Sequence, residues 1–516
     1  MVQKKRLALP FLILTFFLLF GTAKASAEES RVKVGLYWGS SARGEYKISA
    51  QSPLEIGHYA DKNFISVLNS SENAASVCID SSYHVLYGGG LSREAAAELA
   101  KTLSEKGISA FVRLSNGEYS VAADSFSNEN DCLWAAENLA QKGSVLPPES
   151  GMTAIKATDG KILFMSDADA AAVSENGKIT LTASAKKEYR GGLSFSFDGS
   201  ALTAVNIPDT EQYLYSVISK EMSPSWNKEA LKAQAVCARC YAYNNRQKHA
   251  KSGFELCDTV CCQAYAGTAA ETASSYAPVD ETKGQYLLFG GKVCETFYCS
   301  SMGPTTENVK YVWGSEYPYL VSVDNPYEDY ENVYNGKWEN ALTKQRATEI
   351  MESKGYGLGD IEEIKALEFS PSGRVIKLLV KGSSGEKIFE KAACRSAFSE
   401  VTPSQYYTIS GGGAETVPDI WLQAAESKAQ SGIKGKKIIS ENGIFESGDT
   451  LCATDGSAKK TYAAEKSGEA YVFSGFGWGH GIGMSQYGAK GMADAGFDYK
   501  AILTHYFPGT QIGEID

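Results

Sequence analysis

Residues 209–246 decide the local fold around which the rest of the chain is organised. They read DTEQYLYSVISKEMSPSWNKEALKAQAVCARCYAYNNR, with apolar side chains recurring every three or four positions. Residues 209–212 have the pattern of a capping box, which predicts a helix that begins there and ends at Glu221. Pro224 suits the first turn of a second helix, expected from about residue 226 to residue 246. The segment therefore predicts two consecutive helices with a carboxylate at their junction.

Glu221 is followed by Met222 and, shortly after, by Trp226. A carboxyl group flanked by apolar and aromatic side chains is partly desolvated, which raises its pKa above the ordinary value of about 4.3. A raised pKa keeps a proton available near neutral pH, as general acid catalysis requires. The alternative is a solvated glutamate at a helix end.

A second block, residues 474–491, reads SGFGWGHGIGMSQYGAKG and carries glycine at every second position from 475 to 483. In an extended strand this spacing leaves one face without side chains, so another part of the protein is expected to approach it closely. The opposite face displays Trp478 and His480, which suit a platform for stacking sugars. The alternative is tight sheet packing with His480 as a structural imidazole. The block lacks the spacing of a P-loop or a dinucleotide-binding fingerprint.

The rest of the pattern predicts the α+β class: a mixed β-sheet core with a long helical catalytic segment, plus an inserted small α/β module. Strands are expected before residue 207, beginning with an opening hairpin over residues 32–50. Residues 73–145 read strand, helix, strand, strand, helix, with the first helix over 93–106. Residues 411–469 are polar and rich in Gly, Ser and Lys, which indicates an excursion within the larger domain.

Composition and the amino terminus restrict the possible functions. The 516 residues carry a net charge of −11, which argues against nucleic acid as a partner because phosphate binding depends on clustered cations. Residues 1–27 combine a basic start, an apolar run over 7–20 and small residues at 23–27, the pattern of a secretory leader. We therefore expect an extracytoplasmic protein, either secreted or anchored to the cell membrane by an uncleaved leader.

The chain contains 11 cysteines, an odd number that argues against a simple disulfide framework. Five of them fall within residues 237–262, which favours local metal or redox chemistry. Cys78 and Cys132 are the pair expected to form a disulfide. Cys237 and Cys240 lie on one face of the long helix. They either pack in the core or form disulfides with Cys294 and Cys299.

Both blocks resemble the SpoIID/LytB family, in the patterns E-M…W…E-A-L-K-A-Q-A-V and G-W-G-H-G-x-G-M-S-Q-Y-G-A. The resemblance covers residues 30–60 and 150–515. It implies a lytic transglycosylase that cleaves the bond between N-acetylmuramic acid and N-acetylglucosamine in denuded peptidoglycan, with Glu221 as its catalytic acid. One carboxylate suffices, because the C6 hydroxyl of the substrate takes the place of water. The rival function is that of a non-catalytic wall-binding or amidase-modifying protein.

The same resemblance implies the partners and substrate contacts. Residues 73–145 resemble the SPOR domain, which binds glycan strands, although a generic ferredoxin-like insertion fits the pattern too. Peptidoglycan is the expected partner, with other wall hydrolases or membrane proteins of a remodelling complex, in a process linked to sporulation. The side chains implied in substrate binding are Lys232, Gln234, Arg239, Tyr298, Ser301, Trp478, His480, Ser485, Gln486 and Tyr487.

Relatives in the family place a C-x-x-x-H-C-Q pattern after the long helix, and some bind zinc there through two cysteines and a histidine. The corresponding side chains in this chain are His249, Cys257, Cys261 and Cys262, with Cys261 at the position of the internal histidine. Cysteine and histidine are the ligands that structural zinc prefers. A disulfide and unpaired thiols are the alternatives to zinc.

Overall fold

The computed structural model describes residues 30–138, 142–412 and 470–515, together with the backbone of the strands between residues 415 and 466. The predicted leader, residues 1–27, lies outside this range. Within it, no helix is both long enough and apolar enough to cross a membrane. The structure is a mixed α+β fold, as the sequence predicts.

The amino-terminal part is built mainly of strands. Its elements are β1 (Val34–Tyr37), β2 (Glu45–Ser49), β3 (Leu54–Ala60), β4 (Asn63–Asn69), β5 (Ala74–Asp80), β6 (Tyr83–Leu91), α1 (Arg93–Glu105), β7 (Ala110–Ser115), β8 (Glu118–Phe126), α2 (Glu129–Asn138), β9 (Ser144–Leu146), β10 (Met152–Lys156), β11 (Ile162–Ser166), β12 (Ala170–Ser174), β13 (Lys178–Thr182), β14 (Lys186–Arg190), β15 (Gly192–Phe197) and β16 (Leu202–Ile207).

These strands form two sheets. The first has the order β1-β16-β15-β12-β3-β4, and the second has the order β14-β13-β2-β5-β10-β11-β7-β8-β6-β9. The predicted opening hairpin is wrong, because β1 pairs with β16 whereas β2 pairs with β5 and β13. Alternation of apolar residues identifies both strands but says nothing about which neighbour each one takes.

The segment predicted as an insertion forms the edge of the second sheet. Strands β6 to β9 lie in the order β9-β6-β8-β7, with helices after the first and third of them. This unit begins at Tyr83 rather than at residue 73, because β5 pairs with β2 and β10. Its two ends are adjacent, since Asp80 pairs with Met152 across β5 and β10. The unit also shares the main core, through the parallel pairing of β7 with β11 and the burial of Leu103 on α1.

The predicted disulfide between Cys78 and Cys132 is wrong: both thiols are free. Cys78 lies on β5 and packs with Met152 and Ala154. Cys132 lies on α2 in a different apolar cluster, where its thiol donates a hydrogen bond to the carbonyl of His84 at 3.1 Å.

Helices dominate the next part of the chain. The elements are α3 (Thr210–Glu221), α4 (Lys228–Asn244), β17 (Leu256–Cys257), α5 (Ala273–Asp280), β18 (Tyr286–Phe289), β19 (Lys292–Val293) and β20 (Tyr298–Cys299). Strand β17 adds to the first sheet beside β1. Both predicted helices are present, but Asp209 makes no capping hydrogen bond and pairs with Arg31 instead.

A separate apolar core follows. It is formed by β21 (Lys337–Thr343), α6 (Lys344–Ser353), β22 (Ile361–Phe369), β23 (Val375–Gly382), β24 (Gly385–Glu390), α7 (Ala393–Ser396) and β25 (Tyr407–Gly411). The polar excursion then forms hairpin-like pairs from β26 (Glu415–Thr416), β27 (Asp419–Ala424), β28 (Ser427–Gly432), β29 (Lys437–Ser440), β30 (Gly443–Glu446), β31 (Thr450–Thr454), β32 (Lys459–Ala463) and β33 (Glu465–Lys466).

The chain returns through β34 (Ala470–Phe476), β35 (Met484–Ser485), α8 (Gln486–Asp494), α9 (Tyr499–Tyr506) and β36 (Gln511–Gly513). Strand β34 lies between β21 and β25, whereas β35 pairs in parallel with β20. Helices α8 and α9 pack against α4 in the main core. The glycine-rich block therefore connects the second core to the helical layer.

Candidate active site

Glu221 is the last residue of α3, and its side chain is largely removed from water. Burial raises the pKa of its carboxyl group above the ordinary value. Two donors partly oppose this effect: the backbone N–H of Ala264, at 3.0 Å from Oε1, and the amide of Gln486, at 3.4 Å from Oε2. The groups that act on this carboxyl in the described part of the chain include no second carboxylate.

A buried polar chain supports the wall beside Glu221. The hydroxyl of Tyr298 donates to Oε1 of Gln263 at 2.7 Å, and the amide of Gln263 donates to the hydroxyl of Tyr213 at 3.2 Å. Burial, together with the charge of Glu221, raises the pKa of Tyr298 well above its usual range. Tyr298 is therefore a neutral hydrogen-bonding group near the acid.

An aromatic pair follows the two contacting residues in sequence. Trp226 lies five positions after Glu221, and Tyr487 directly follows Gln486. Their ring centroids are 4.9 Å apart. The contact of Glu221 with Gln486 therefore lies next to the aromatic pair Trp226–Tyr487. Sugar rings stack on aromatic surface of this kind.

The glycine-rich segment is not the extended strand that its spacing predicts. Strand β34 ends at Phe476, and the φ angles of Gly477, Gly479, Gly481 and Gly483 are all positive, at 82°, 126°, 79° and 78°. An L side chain is strained in this conformation. The expected close approach is confirmed, because a Cβ on any of the four would lie under 3.0 Å from a neighbouring atom.

His480 lies inside this segment and packs against Trp313, with centroids 5.1 Å apart. Its Nδ1 accepts a hydrogen bond from the backbone N–H of Ile482 at 3.0 Å. Burial, reinforced by the positive charges of Arg395 and Arg374, lowers the pKa of His480 to about 4. The imidazole is therefore neutral at physiological pH. Trp478 is 43% exposed and presents the open aromatic surface of the block.

A second carboxylate, Glu328, is buried beneath the same segment and accepts hydrogen bonds from five donors. The donors are the hydroxyls of Ser301 and Ser485, the amide of Asn325, and the backbone N–H groups of Met302 and Gly303. Sequence reasoning missed Glu328, because it stands in the acidic run Glu328-Asp329-Tyr330-Glu331, which is typical of a solvated loop.

Glu328 fixes residues on both sides of the site. Ser485 caps the N-terminus of α8, where its Oγ accepts from the N–H of Gly488 at 3.1 Å and donates to Glu328 at 2.5 Å. The next residue is Gln486, which contacts Glu221. Ser301 carries a backbone bridge to Trp478. Ser301 and Ser485 are thus engaged in holding the site together.

Arg374 performs a similar task for the loop after β20. Its guanidinium is fully buried and donates to the carbonyls of Met302, Thr305 and Thr306 at 2.7–3.2 Å. It also lies against Gly481, where a side chain would collide with it. The arginine thereby explains the need for glycine at one of the alternating positions.

Three predicted substrate contacts on α4 are placed elsewhere by the structure. Gln234 and Arg239 have no exposed surface, and Arg239 is bound to Glu211 through two hydrogen bonds of 2.7 and 2.8 Å. Lys232 forms ion pairs with Glu229 and Glu281 at 2.8 and 2.7 Å. The prediction of direct substrate contact is wrong for Gln234 and Arg239, because the apolar packing of α4 encloses them.

The four predicted metal ligands come together. One donor atom from each of His249, Cys257, Cys261 and Cys262 lies within 4.8 Å of the others. Their thiols are free, so a disulfide among them is absent from the structure. Two sulfurs and an imidazole nitrogen approach to 3.3 Å (Cys262 to His249) and 3.9 Å (Cys261 to His249). This donor set fits a tetrahedral zinc ion with four protein ligands.

The other cysteines near the long helix pack in the core. Cys237, Cys240 and Cys294 are buried free thiols, and Cys299 is also free. Cys240 accepts a hydrogen bond from the N–H of Leu287 at 3.2 Å. The packing alternative is therefore confirmed for Cys237 and Cys240, which form no disulfide with Cys294 or Cys299.

The fold and site define a mixed α+β protein with a desolvated carboxyl group at the end of a helix, close to an aromatic pair. Residues 198–289 match the family model SpoIID, described as "Stage II sporulation protein". Residues 319–422 match a domain of unknown function, DUF8618. This second match overlaps the separate apolar core that begins at Trp338.

Several curated proteins are similar to the chain. The amidase enhancer of Bacillus subtilis is 30% identical over 314 residues, covering 58% of this chain and 40% of that protein. Stage II sporulation protein D of the same organism is 27% identical over 326 residues, covering 60% and 76%. An uncharacterized protein of Brachyspira hyodysenteriae is 28% identical over 326 residues, covering 63% and 72%. The family model and these relatives support the resemblance of the chain to the SpoIID/LytB family, and the match covers 40% of the amidase enhancer's own length.

Proposed function

We propose that the protein is a lytic transglycosylase that cleaves denuded peptidoglycan between N-acetylmuramic acid and N-acetylglucosamine. The observation that carries the proposal is the environment of Glu221: a desolvated carboxyl group with a raised pKa, held by one backbone N–H and one amide. Ordinary glycosidases use a pair of carboxyl groups, one of which activates water or attacks the sugar. A single acid suits a reaction in which the substrate supplies its own nucleophile.

In the proposed reaction, the protonated Glu221 donates its proton to the glycosidic oxygen as the bond from C1 of N-acetylmuramic acid breaks. The resulting carboxylate then accepts the proton of the C6 hydroxyl of the same sugar. The C6 oxygen forms a bond to C1 and gives a 1,6-anhydro ring, so no water is consumed and the acid is regenerated. Gln486 and Ala264 stabilise the carboxylate formed between the two steps.

The neighbouring residues position the acid and the sugar chain. Tyr298 is an uncharged group beside Glu221, and Trp478 and Tyr487 supply aromatic surface. The neutral imidazole of His480 supports the glycine segment through Ile482 rather than carrying a proton in the reaction.

We further propose that zinc binds to His249, Cys257, Cys261 and Cys262 and stabilises the loop that follows. With four protein ligands, its role is structural. The loop continues from Cys262 to Gln263, which holds Tyr298, and to Ala264, which donates to Glu221. The cluster therefore fixes two of the groups that surround the acid.

The names of the relatives support a role in cell-wall remodelling during sporulation. The amidase enhancer also supports interplay with a wall hydrolase, and a non-catalytic modifier of an amidase is the rival function. The geometry of Glu221 favours the enzyme, because a binding protein has no need of a desolvated acid. We also propose that the unit beginning at Tyr83 is a SPOR-like glycan-binding domain. Export of the protein by residues 1–27 remains a prediction.

The test is incubation of the purified protein with denuded glycan, followed by mass spectrometry of the products. Wild-type protein is expected to release fragments with 1,6-anhydro ends, and Glu221→Gln is expected to release none. Glu105→Gln is a matched control, because Glu105 is likewise the last residue of a helix but is exposed. Binding of glycan without any cleavage by the wild-type protein would favour the rival function.

A further inference from the structure

A cleft of about 530 Å³ lies on one face of the three-stranded sheet formed by β21, β34 and β25. The register pairs Lys337 with Phe476 and Glu339 with Ser474, and Thr408 lies opposite Ser474 on the other side. Paired residues of neighbouring strands point to the same face of a sheet. These side chains, with Tyr406 and Glu331, line the cleft, while the other face of the sheet packs on the second core.

The cleft combines aromatic surface with hydrogen-bond acceptors. Phe476 and Tyr406 have ring centroids 5.7 Å apart and are both half-buried. Glu339 is exposed and accepts from Ser474 at 3.0 Å, while Glu331 is paired with Lys337 at 2.8 Å. Carboxylates accept hydrogen bonds from hydroxyl and amide groups. Because two carboxylates face one lysine, an uncharged ligand with several donors fits better than an anionic one.

Two aromatic contacts connect the cleft with the exposed Trp478 of the glycine-rich segment. Tyr330 packs on Phe476 in the cleft, with centroids 5.3 Å apart, and Tyr334 packs on Trp478, at 5.8 Å. Residues 330–334 therefore flank both the cleft and the exposed Trp478. The glycine segment then leads from Phe476 to Gln486, a stretch of ten residues that spans at most about 35 Å. The lining of the cleft includes neither Glu221 nor Gln486, so a sugar bound there lies outside the contacts of the acid.

We propose that this cleft is a distal binding site for an uncharged N-acetylated sugar of the glycan strand whose cleavage we assign to Glu221. Phe476 and Tyr406 stack on the sugar ring, and Glu339 accepts hydrogen bonds from its hydroxyl or amide groups. The inference rests on the proposed function for the identity of the polymer. It makes the region matched by DUF8618 and the end of β34 a determinant of substrate length.

Binding of glycans to the full chain carrying Glu221→Gln tests the proposal, since no substrate is consumed. Calorimetric titration compares a denuded tetrasaccharide with long denuded strands. In this background, Phe476→Ala and Glu339→Gln are each expected to weaken binding of long strands about tenfold, the loss of one stacking or charge-assisted contact. The tetrasaccharide is expected to bind all variants alike. Glu386→Gln, an exposed carboxylate on β24, is the matched control and is expected to change neither affinity.

Two results would overturn the proposal: unchanged affinity of the cleft variants for long strands, or an equal loss for both ligands. Glu339→Gln alters only an exposed side chain, so the test does not depend on the folding of Phe476→Ala. Failure of the proposed activity is seen separately, as wild-type protein that binds glycan and releases no anhydro ends. A length-dependent loss in the cleft variants would support the distal site even then.

Discussion

Two carboxylates lie on either side of the start of helix α8, and both are buried, but they differ in the number of hydrogen bonds that they accept. Gln486 contacts Glu221, and the preceding residue, Ser485, contacts Glu328. Glu221 has two opposing donors, one of them at 3.4 Å, and burial raises its pKa. Glu328 is only 3% exposed, yet five donors surround it.

The comparison shows that burial alone does not make a catalytic acid. A buried carboxylate that accepts a full set of hydrogen bonds holds the groups around it in place, whereas burial with few donors raises the pKa of a carboxyl group. The catalytic role proposed for Glu221 depends on the structural role of Glu328. Glu328 positions Ser485 and Ser301, and through them the helix and the glycine segment that complete the surroundings of Glu221.

The largest expected effect comes from replacing Glu221, and it is an effect on catalysis. Glu221→Gln removes the only proposed proton donor and preserves its volume, so turnover of denuded glycan is expected to fall by about 10²- to 10⁴-fold, below what mass spectrometry detects in the digestion. Glycan affinity and the far-ultraviolet circular dichroism spectrum are expected to stay unchanged. Turnover near the wild-type rate would show that another group supplies the proton.

The next largest effect is expected on stability. Glu328→Ala removes the acceptor of five buried hydrogen bonds, so the free energy of unfolding is expected to fall by about 3 kcal/mol or more. Urea denaturation of the full chain measures the loss. Glu105→Ala, at the exposed end of α1, serves as the control and is expected to change stability little. Equal stabilities of both variants would contradict the structural role of Glu328.

Removal of the metal is expected to weaken the hydrogen bonding of Glu221, because the loop that carries its donor Ala264 follows the metal ligands, whereas the donors of Glu328 lie elsewhere. Protein purified without added zinc is expected to carry about one equivalent, and Cys257→Ser is expected to lose it. The loop carrying Ala264 then loosens, so both the melting temperature and the turnover are expected to fall. Cys78→Ser, a free thiol outside the cluster, is the control for elemental analysis and thermal melting. Active wild-type protein without metal would refute the zinc site.

The smallest effect concerns the pH dependence of stability. Because the pKa of Glu221 is raised in the folded state, the native protein binds more protons than the unfolded chain just above the ordinary pKa of about 4.3. This group therefore lowers stability as pH rises through that range. Glu221→Gln removes the effect, so the variant is expected to equal the wild type in acid and to exceed it near neutral pH. A wild-type advantage near neutral pH would contradict the raised pKa.

Local patterns predicted several parts of the molecule well. The two helices over residues 209–246 follow from their apolar periodicity, and the resemblance to the family implied the cluster of cysteines and histidine. The close approach to the glycine block also followed from its composition. The helices and the metal-ligand cluster depend on residues near one another in the chain, which is why the sequence could predict them.

Other features depend on contacts between distant segments. The glycines fit an extended strand as well as a segment with positive φ, and only their packing against residues 297–302 and Arg374 decides between them. Glu328 accepts hydrogen bonds from segments up to 157 residues away. Its acidic neighbours in sequence are typical of a solvated loop, so the sequence does not indicate that it is buried. The family resemblance implied that Arg239 on α4 contacts substrate, but its guanidinium is paired with the distant Glu211.

The central claim is that one carboxyl group, Glu221, performs both proton transfers without a water molecule entering the reaction. Digestion of denuded glycan in water enriched in the heavy oxygen isotope, followed by mass spectrometry of the new ends, tests it most directly. The account predicts 1,6-anhydro ends that contain no heavy oxygen, and none of these ends with Glu221→Gln. Reducing ends labelled with one heavy oxygen would contradict it, because they would require a hydrolytic water and a second group to activate it.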